Sequence, residues 1–380
     1  MRNHCIVCGA PLHGVPLLKC GRMPKSAQFF PDASQLDADR PIDLELTQCS
    51  GCGLVQLNAG PVDYYRDVIR SGGYSTTMHA LRHEQYDRFM RLCPIKGRRI
   101  IEVGCGRGEF LRIWREDGFD VDACGIEHDP ALVKIAREDG LDVSQGFAED
   151  ADTRLEGGPF DGFCSFNFLE HQPDPNGMLR CIYNNLQSEA YGLITVPSLE
   201  YIVDQECYYE LIRDHIAYYS RETFCFLLEK NGFRVLSCTE VNRDTWEAIV
   251  EKKRPLDASA LRENAQSLQR EIDELTDGLS RAGKRLAVWG ASHQGLTVLS
   301  STVLGRNTAY VVDSAPFKQG RYTIGSHIPI VPPAHIARDP VDAVLIIAPG
   351  YTDEIAGILR RDYSGIDIYA LKGKHLEHHK

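Results

Sequence analysis

The stretch RRIIEVGCGRGEFLRIW, residues 98–114, constrains the fold of this chain more than any other. A β-branched, apolar run ends in glycines at 104, 106 and 108, and an amphipathic helix follows at once. Glycine at such a junction lets the chain turn sharply and lets a ligand approach the backbone. The same rhythm continues. DVDACGIEHD reads as a strand, PALVKIAREDG as a helix opened by proline, and FDGFCSFNFLEH and YGLITVPS as further strands. After the helix RETFCFLLEKNG, the segments FRVLSCTEV and TWEAIVEKK lie too close together for a helical crossover. The expected fold class is therefore α/β, a mostly parallel sheet with crossover helices and an antiparallel edge.

The chain is long enough, at 380 residues, for more than one core, and 43% hydrophobic with 25% charged residues is ordinary globular composition. Its net charge of -11 disfavours nucleic acid as a partner. The first residues carry no apolar run of signal-peptide length, and nowhere do eighteen apolar residues follow one another, so a cytoplasmic protein without a membrane partner is expected. Thirteen cysteines, an odd and scattered set, point to a reducing compartment.

Four of those cysteines are not scattered. Cys5 and Cys8 in CIVCG, and Cys49 and Cys52 in CSGCG, form two Cys-x-x-Cys turns, each followed by glycine. Four sulfur ligands at this spacing suit a closed, structural Zn²⁺ site. The alternatives are that Cys20 replaces one ligand or that the pairs are unrelated; a thioredoxin-like context is absent. Residues 1–60 are thus expected as a zinc-binding module. Residues 61–95 look helical, with Met78, Leu81, Tyr86, Phe89 and Leu92 near one face.

Glu102 lies in the strand before the glycine turn, and Glu127 ends the next strand, where a carboxylate can accept both hydroxyls of a ribose. A dinucleotide fingerprint would have a different glycine spacing by one residue. Together, EVGCGRG and Glu127 resemble the nucleotide-binding motif of class I S-adenosylmethionine (SAM) methyltransferases over about 98–252. The resemblance implies SAM as cofactor, held by Glu102, Gly104, Gly106, Gly108 and Glu127. It adds Ala148 and Glu149 from GFAED near the adenine, and Asn167 and Glu170 from FNFLEHQPDP, with His171 beside them. A tight turn in a ligand-free sheet is the plainer alternative for the glycines.

The whole chain resembles a three-part family of sugar C-methyltransferases, in which a zinc module with four cysteine ligands precedes the SAM domain and a Rossmann-like domain follows. The resemblance implies domains at 1–60, 61–255 and 283–380, with a linker helix over 256–282. In that linker Leu261, Ala265, Leu268, Ile272, Leu275 and Leu279 make a short heptad seam, read as a helix packed on a domain in preference to a coiled-coil dimer; a monomer or weak homodimer is expected. VWGASHQG, VVDSAPFKQGR and GSHIPI resemble the terminal domain, where Lys318 and Arg321 are candidate cations for phosphate. The terminal LEHHK carries no assigned role.

In ELIRDHIAYYSRETF the family's Glu-His pair, followed by aromatics and serine, appears as Asp214-His215 and then Tyr218, Tyr219 and Ser220. The resemblance implies His215 as base, Asp214 assisting, and Tyr74 from a capping segment. The chemistry would be C-methylation of a nucleotide-linked keto-deoxysugar, beginning with removal of a proton alpha to the ketone. Asp for Glu shortens the reach by one methylene, and Ile212 stands where many members carry Tyr. Rival readings are an O- or N-methyltransferase of a natural-product or surface-glycan acceptor, and a non-catalytic SAM- or nucleotide-binding protein.

Overall fold

A computed structural model of the chain describes residues 2–28, 30–67 and 75–379. It divides into two compact units, Met1–Arg254 and Pro255–Lys380.

Unit 1 carries two sheets. The smaller holds β1 (Leu18–Met23), β2 (Ile42–Gln48), β3 (Val55–Leu57) and, far along the chain, β9 (Ala217–Tyr218), antiparallel and in that order. The larger is built from β4 (Arg99–Val103), β5 (Asp122–Glu127), β6 (Val143–Gln145), β7 (Phe160–Phe166), β8 (Leu186–Pro197), β10 (Phe233–Val241) and β11 (Thr245–Lys252). Its order is β10-β11-β8-β7-β4-β5-β6. Pairs from β6 to β8 are parallel, whereas β11 runs antiparallel to both β8 and β10. This is the class I methyltransferase arrangement, with the antiparallel edge expected from the short turn after Val241.

Helices cover both faces because their apolar stripes match the buried strand faces. On one face α1 (Thr76–Leu92) and α2 (Glu109–Glu116) pack together, with Tyr86 and Trp114 stacked at 3.7 Å between ring centres. The helix at 61–95 is shorter than expected. Ser75 caps it by accepting from the Met78 N–H, residues 61–67 form turns, and Leu92 points outward while Cys93 takes the buried place. Arg88 of α1 grips the buried Glu247 of β11 through two hydrogen bonds, 2.8 and 3.1 Å. α3 (Pro130–Glu138) follows β5, and α4 (Pro175–Asn184), α5 (Leu199–Asp204) and α6 (Arg221–Lys230) complete the unit. The cysteine-rich segment is continuous with this body: Cys5, Val7, Cys49 and Leu54 share a core with Leu169, Met178, Tyr219 and Phe224.

Unit 2 begins with α7 (Ser259–Arg281). Ile272 and Leu279 of the heptad seam enter this unit's core, whereas Leu261 and Ala265 are exposed. Its sheet contains β12 (Leu286–Trp289), β13 (Thr308–Val312), β14 (Ile330–Val331), β15 (Ala343–Ile346), β16 (Asp367–Lys372) and β17 (His375–His378), in the order β14-β13-β12-β15-β16-β17. α8 (His293–Ser301), α9 (Leu304–Asn307) and α10 (Thr352–Asp362) flank it. Leu376, Glu377 and His378 of the terminal LEHHK, given no role from sequence, belong to β17 against β16. Among the described residues, no helix is long and apolar enough to cross a membrane.

Gly108 illustrates how tightly the glycine turn is set. Its φ is +77°, and a Cβ would stand 2.3 Å from Leu141 Cδ1. Gly108→Ala is expected to lower stability in chemical denaturation by about 1–2 kcal/mol from the left-handed backbone alone; an unchanged midpoint would show that this turn relaxes freely.

Candidate active site

A cavity of about 540 Å³ opens at the carboxyl ends of the parallel strands, where loops of such sheets gather. Gly104 and Gly106 after β4, Glu127 at the end of β5, and Asn167, Phe168, Glu170 and His171 after β7 line it. Asp214 and His215 reach it from the segment before β9. Gly106 donates its N–H to Glu127 Oε2 at 2.8 Å, and the N–H groups of His128 and Asp129 reach Oε1 at 2.7 and 3.0 Å. The carboxylate is thereby fixed, with one of its four lone-pair sites, on Oε2, left for a ligand hydroxyl. A narrow side pocket beside Glu127 lies between Ile126, His128, Phe147, Ala148 and Phe168. Gly104 keeps the entrance open, since a Cβ there would stand 3.2 Å from the Phe168 ring. Asn167 holds a left-handed backbone (φ +48°), pinned by its N–H to the Thr195 carbonyl at 3.1 Å and by its Oδ1, which accepts from Thr195 Oγ1 at 2.7 Å.

Three expected donor-binding residues stand outside this lining. Glu102 is buried in β4 beneath the turn, Gly108 packs against Leu141, and Glu149 is exposed and pairs with Arg66. Tyr74 lies outside the described residues.

The other end of the cavity holds Glu170, His171 and His215. Glu170 is 1% exposed; its Oε1 is 3.9 Å from His171 Nε2 and 4.0 Å from His215 Nε2. The two imidazole rings meet edge to face at 4.7 Å. His171 Nδ1 lies 3.0 Å from the Asp214 carbonyl, which can only accept, so Nδ1 carries the proton and Nε2 a lone pair. Burial moves Glu170 up to about 8 and His171 down to about 4, and holds His215 well below the usual histidine range, with His171 adding to that shift. At neutral pH both rings are uncharged.

Asp214 does not assist His215 as expected. Its carboxylate accepts from the Tyr64 hydroxyl at 2.8 Å and from the Ala27 N–H at 2.9 Å, tying the cysteine-rich segment to the site. One methylene shorter than Glu, it turns toward these donors, and Glu170 is the carboxyl beside the imidazoles. Nothing in the local sequence signals Tyr64 or Ala27, because their partner is 150 or more residues away.

Cys5, Cys8, Cys49 and Cys52 converge, with Cys8 and Cys49 sulfurs 3.3 Å apart and Cys5 and Cys52 sulfurs 3.6 Å apart. A tetrahedron of thiolates about a zinc-sized ion has edges of about 3.8 Å. Backbone N–H groups of Gly51 and Cys52 point at Cys49 Sγ, as at a thiolate. Cys20 lies in β1 opposite Leu44, outside the cluster. The residues fit a four-sulfur metal site.

Residues 78–238 match the model of the family described as methyltransferase domain. This chain is a SAM-dependent methyltransferase. Residues 245–364 match a second model, described as C-methyltransferase C-terminal domain. The enzyme is similar to C-methyltransferase NovU of Streptomyces niveus, 23% identical across 93% of this chain and 91% of that one. It is also 33% identical to a ubiquinone biosynthesis O-methyltransferase of Xylella fastidiosa, over 27% of this chain and 43% of that relative. The enzyme thus spans under half the length of that relative. A SAM-dependent methyltransferase of Aquifex aeolicus, 17% identical, superposes with a TM-score of 0.36 over 47% of this chain and 99% of that one.

In unit 2 the glycine turn after β12 is closed on itself. Asp313 accepts from the Ala291 N–H at 2.9 Å and holds Lys318 Nζ at 2.8 Å, so Lys318 is not the free phosphate cation expected from sequence. Arg321 remains exposed.

Loss of the Glu127 carboxylate removes charged hydrogen bonds worth about 1.5–3 kcal/mol, or about 10- to 150-fold in affinity. Glu127→Ala should weaken S-adenosylhomocysteine binding by that range in titration calorimetry; undiminished affinity would place the ribose elsewhere.

Proposed function

We propose that the enzyme methylates carbon: the atom beside the ketone of a nucleotide-linked keto-deoxysugar. The observation that carries this reading is His215, a half-buried imidazole lining the same cavity as the glycine loop, held well below the usual histidine range by desolvation and with the Glu170 carboxyl beside it. Carbon methylation requires a base that is unprotonated at neutral pH, within reach of both acceptor and donor. An O- or N-acceptor needs no carbanion. Likeness to a C-methyltransferase along almost the whole chain supports the same choice.

SAM supplies an electrophilic methyl that needs no further activation. The chain's own work is to position and to move one proton. The Gly104–Gly106 turn and Glu127 hold the donor's sugar, and His215 takes the proton from the acceptor carbon. Burial that depresses His215 makes its cation costly in isolation. The enolate formed in the same step lies beside it and offsets that cost.

We further propose that the four cysteines bind structural zinc. The site has no open position for chemistry. Its role is mechanical: β3 leaves the second cysteine turn and pairs with β9 at Val55–Tyr218 and Gln56–Ala217, two residues from His215.

Two tests follow from this. With a nucleoside-diphosphate keto-deoxysugar in heavy water and no SAM, the enzyme should exchange the proton alpha to the ketone, and His215→Asn should abolish the exchange; exchange retained by the variant would remove His215 as base. Elemental analysis should find one zinc per chain. Cys49→Ser should lose it together with several degrees of Tm, and a zinc-free protein of unchanged stability would dismiss the structural role.

A further inference from the structure

We propose that Glu170 is the acid that holds the acceptor's ketone oxygen, donating a hydrogen bond to the enolate formed when His215 takes the neighbouring proton. The proposal rests on the carbon-acceptor reading above and assigns the group that makes it feasible.

Glu170 lines the cavity yet is 1% exposed, and its Oε2 has no hydrogen-bond partner among the described residues. No lysine or arginine pairs with it there; its neighbours within ion-pair range are the two histidines. The titratable groups that face it are His171 on its own turn, and His215 and Tyr219 from the segment around β9, with Asp214 engaged elsewhere. An ionised carboxylate in such a place would lack a counter-charge, and its own backbone N–H is too little to offset the burial of a charge, so it keeps its proton. Burial moves it up to about 8, in line with that argument. Neither imidazole takes the proton, because both Nε2 atoms stand 3.9–4.0 Å away, beyond hydrogen-bond range. The proton is therefore available to a ligand.

The spacing suits one ligand in particular. A ketone oxygen and the carbon alpha to it are about 2.4 Å apart. Glu170 Oε1 and His215 Nε2, 4.0 Å apart, can address both atoms at once. In the step, the C–H bond breaks and its proton moves to His215, while the electron pair passes through the C–C bond to oxygen. The oxygen accepts the Glu170 hydrogen bond, and the Glu170 proton stays where it is. The carbon then forms its bond to the SAM methyl, the S–CH₃ bond breaks with its pair left on sulfur, and His215 returns its proton to solvent. One proton is released per turnover.

The test compares Glu170→Gln and Glu170→Ala with wild type, using solvent exchange at the alpha carbon and Tm, each across pH 4–9. Wild-type exchange should fall tenfold per unit above about pH 8, as the acid ionises. Glu170→Gln, whose amide still donates, should lose about tenfold and lose that alkaline limb. Glu170→Ala should lose about 100- to 1,000-fold. Between pH 4.5 and 8 the folded wild type binds a proton that the unfolded chain has released, so its stability falls as pH rises through this window. Glu170→Gln has no such term; its Tm should exceed wild type at pH 7.5 and converge with it below pH 4.5. A folded but inactive Glu170→Gln, with wild-type activity rising through pH 8, would make Glu170 a base and overturn the proposal. So would activity lost to EDTA together with a second metal per chain, which would make Glu170, His171 and His215 cation ligands. A Tm gap that ignores pH would also overturn it, since the carboxyl would then be ionised. No exchange by wild type sinks the carbon-acceptor reading and this role together, and the Tm comparison still decides whether the carboxyl is uncharged.

Discussion

A two-residue ladder carries much of this architecture. β3 and β9 pair only at Val55–Tyr218 and Gln56–Ala217, extended by the Leu57 N–H to the Ile216 carbonyl at 3.0 Å. On one side the chain leads directly to Cys49 and Cys52; on the other it leads to Asp214 and His215. So short a ladder is weak by itself. It persists because Tyr219, one residue beyond, sits in the same core as Cys5, Cys49 and Leu54, and because Asp214 accepts from Ala27 and Tyr64. The cysteine cluster is thus part of the scaffold that aims the imidazole. A four-sulfur site held by two tight turns is a stiff anchor for a segment with few residues to bury.

The two ends of the cavity obey different electrostatics. Around Glu127 the carboxylate is buried and takes three backbone N–H groups, which leaves one acceptor site free. Around Glu170 the same functional group is buried and unsatisfied, and it stays neutral. Two carboxyls in one cavity thereby meet opposite surroundings, one ringed by backbone donors and one with an orphaned oxygen. The difference lies entirely in whether backbone donors converge on them. His171 extends the pattern, since a main-chain carbonyl rather than a charge fixes its ring.

The glycine-loop end of this cavity was legible in the sequence as a cluster, and the end that holds Glu170 and His215 only in part. Gly104, Gly106, Glu127, Ala148 and Asn167 follow consecutive strands, so strand ends alone bring them together. The β10–β11 edge was equally readable, from a turn too short for a crossover. His215 and Asp214 were visible as residues, but not the way Asp214 faces. Its partners Tyr64 and Ala27 come from a segment rich in turns, where no periodicity indicates direction. Glu102 and Glu149 show the opposite error. Each sits beside a motif, yet the central strand β4, covered on both faces, buries one and the loop exposes the other. The seam of α7 continued in sequence past the point where packing does, because Leu261 precedes the stretch that meets the core.

That split follows from how the pieces are held. A ligand site made of successive βα loops is fixed by local turns and by a sheet order that a right-handed crossover largely dictates. Such a site can be inherited by enzymes with unrelated acceptors. The Glu170, His171 and His215 cluster needs a turn after β7, a segment before β9 and an N-terminal module to arrive at one place. Each of those contacts spans tens to hundreds of residues, and a change in any one of them moves the imidazole without touching the donor loop. Changes in the cysteine-rich strap and its ladder can therefore move His215 while the glycine loop stays in place. The position of His215 is thus written in the part of the chain whose geometry depends on distant contacts, and a shift of the β3–β9 register by one residue would exchange the faces of β9, two residues from the imidazole.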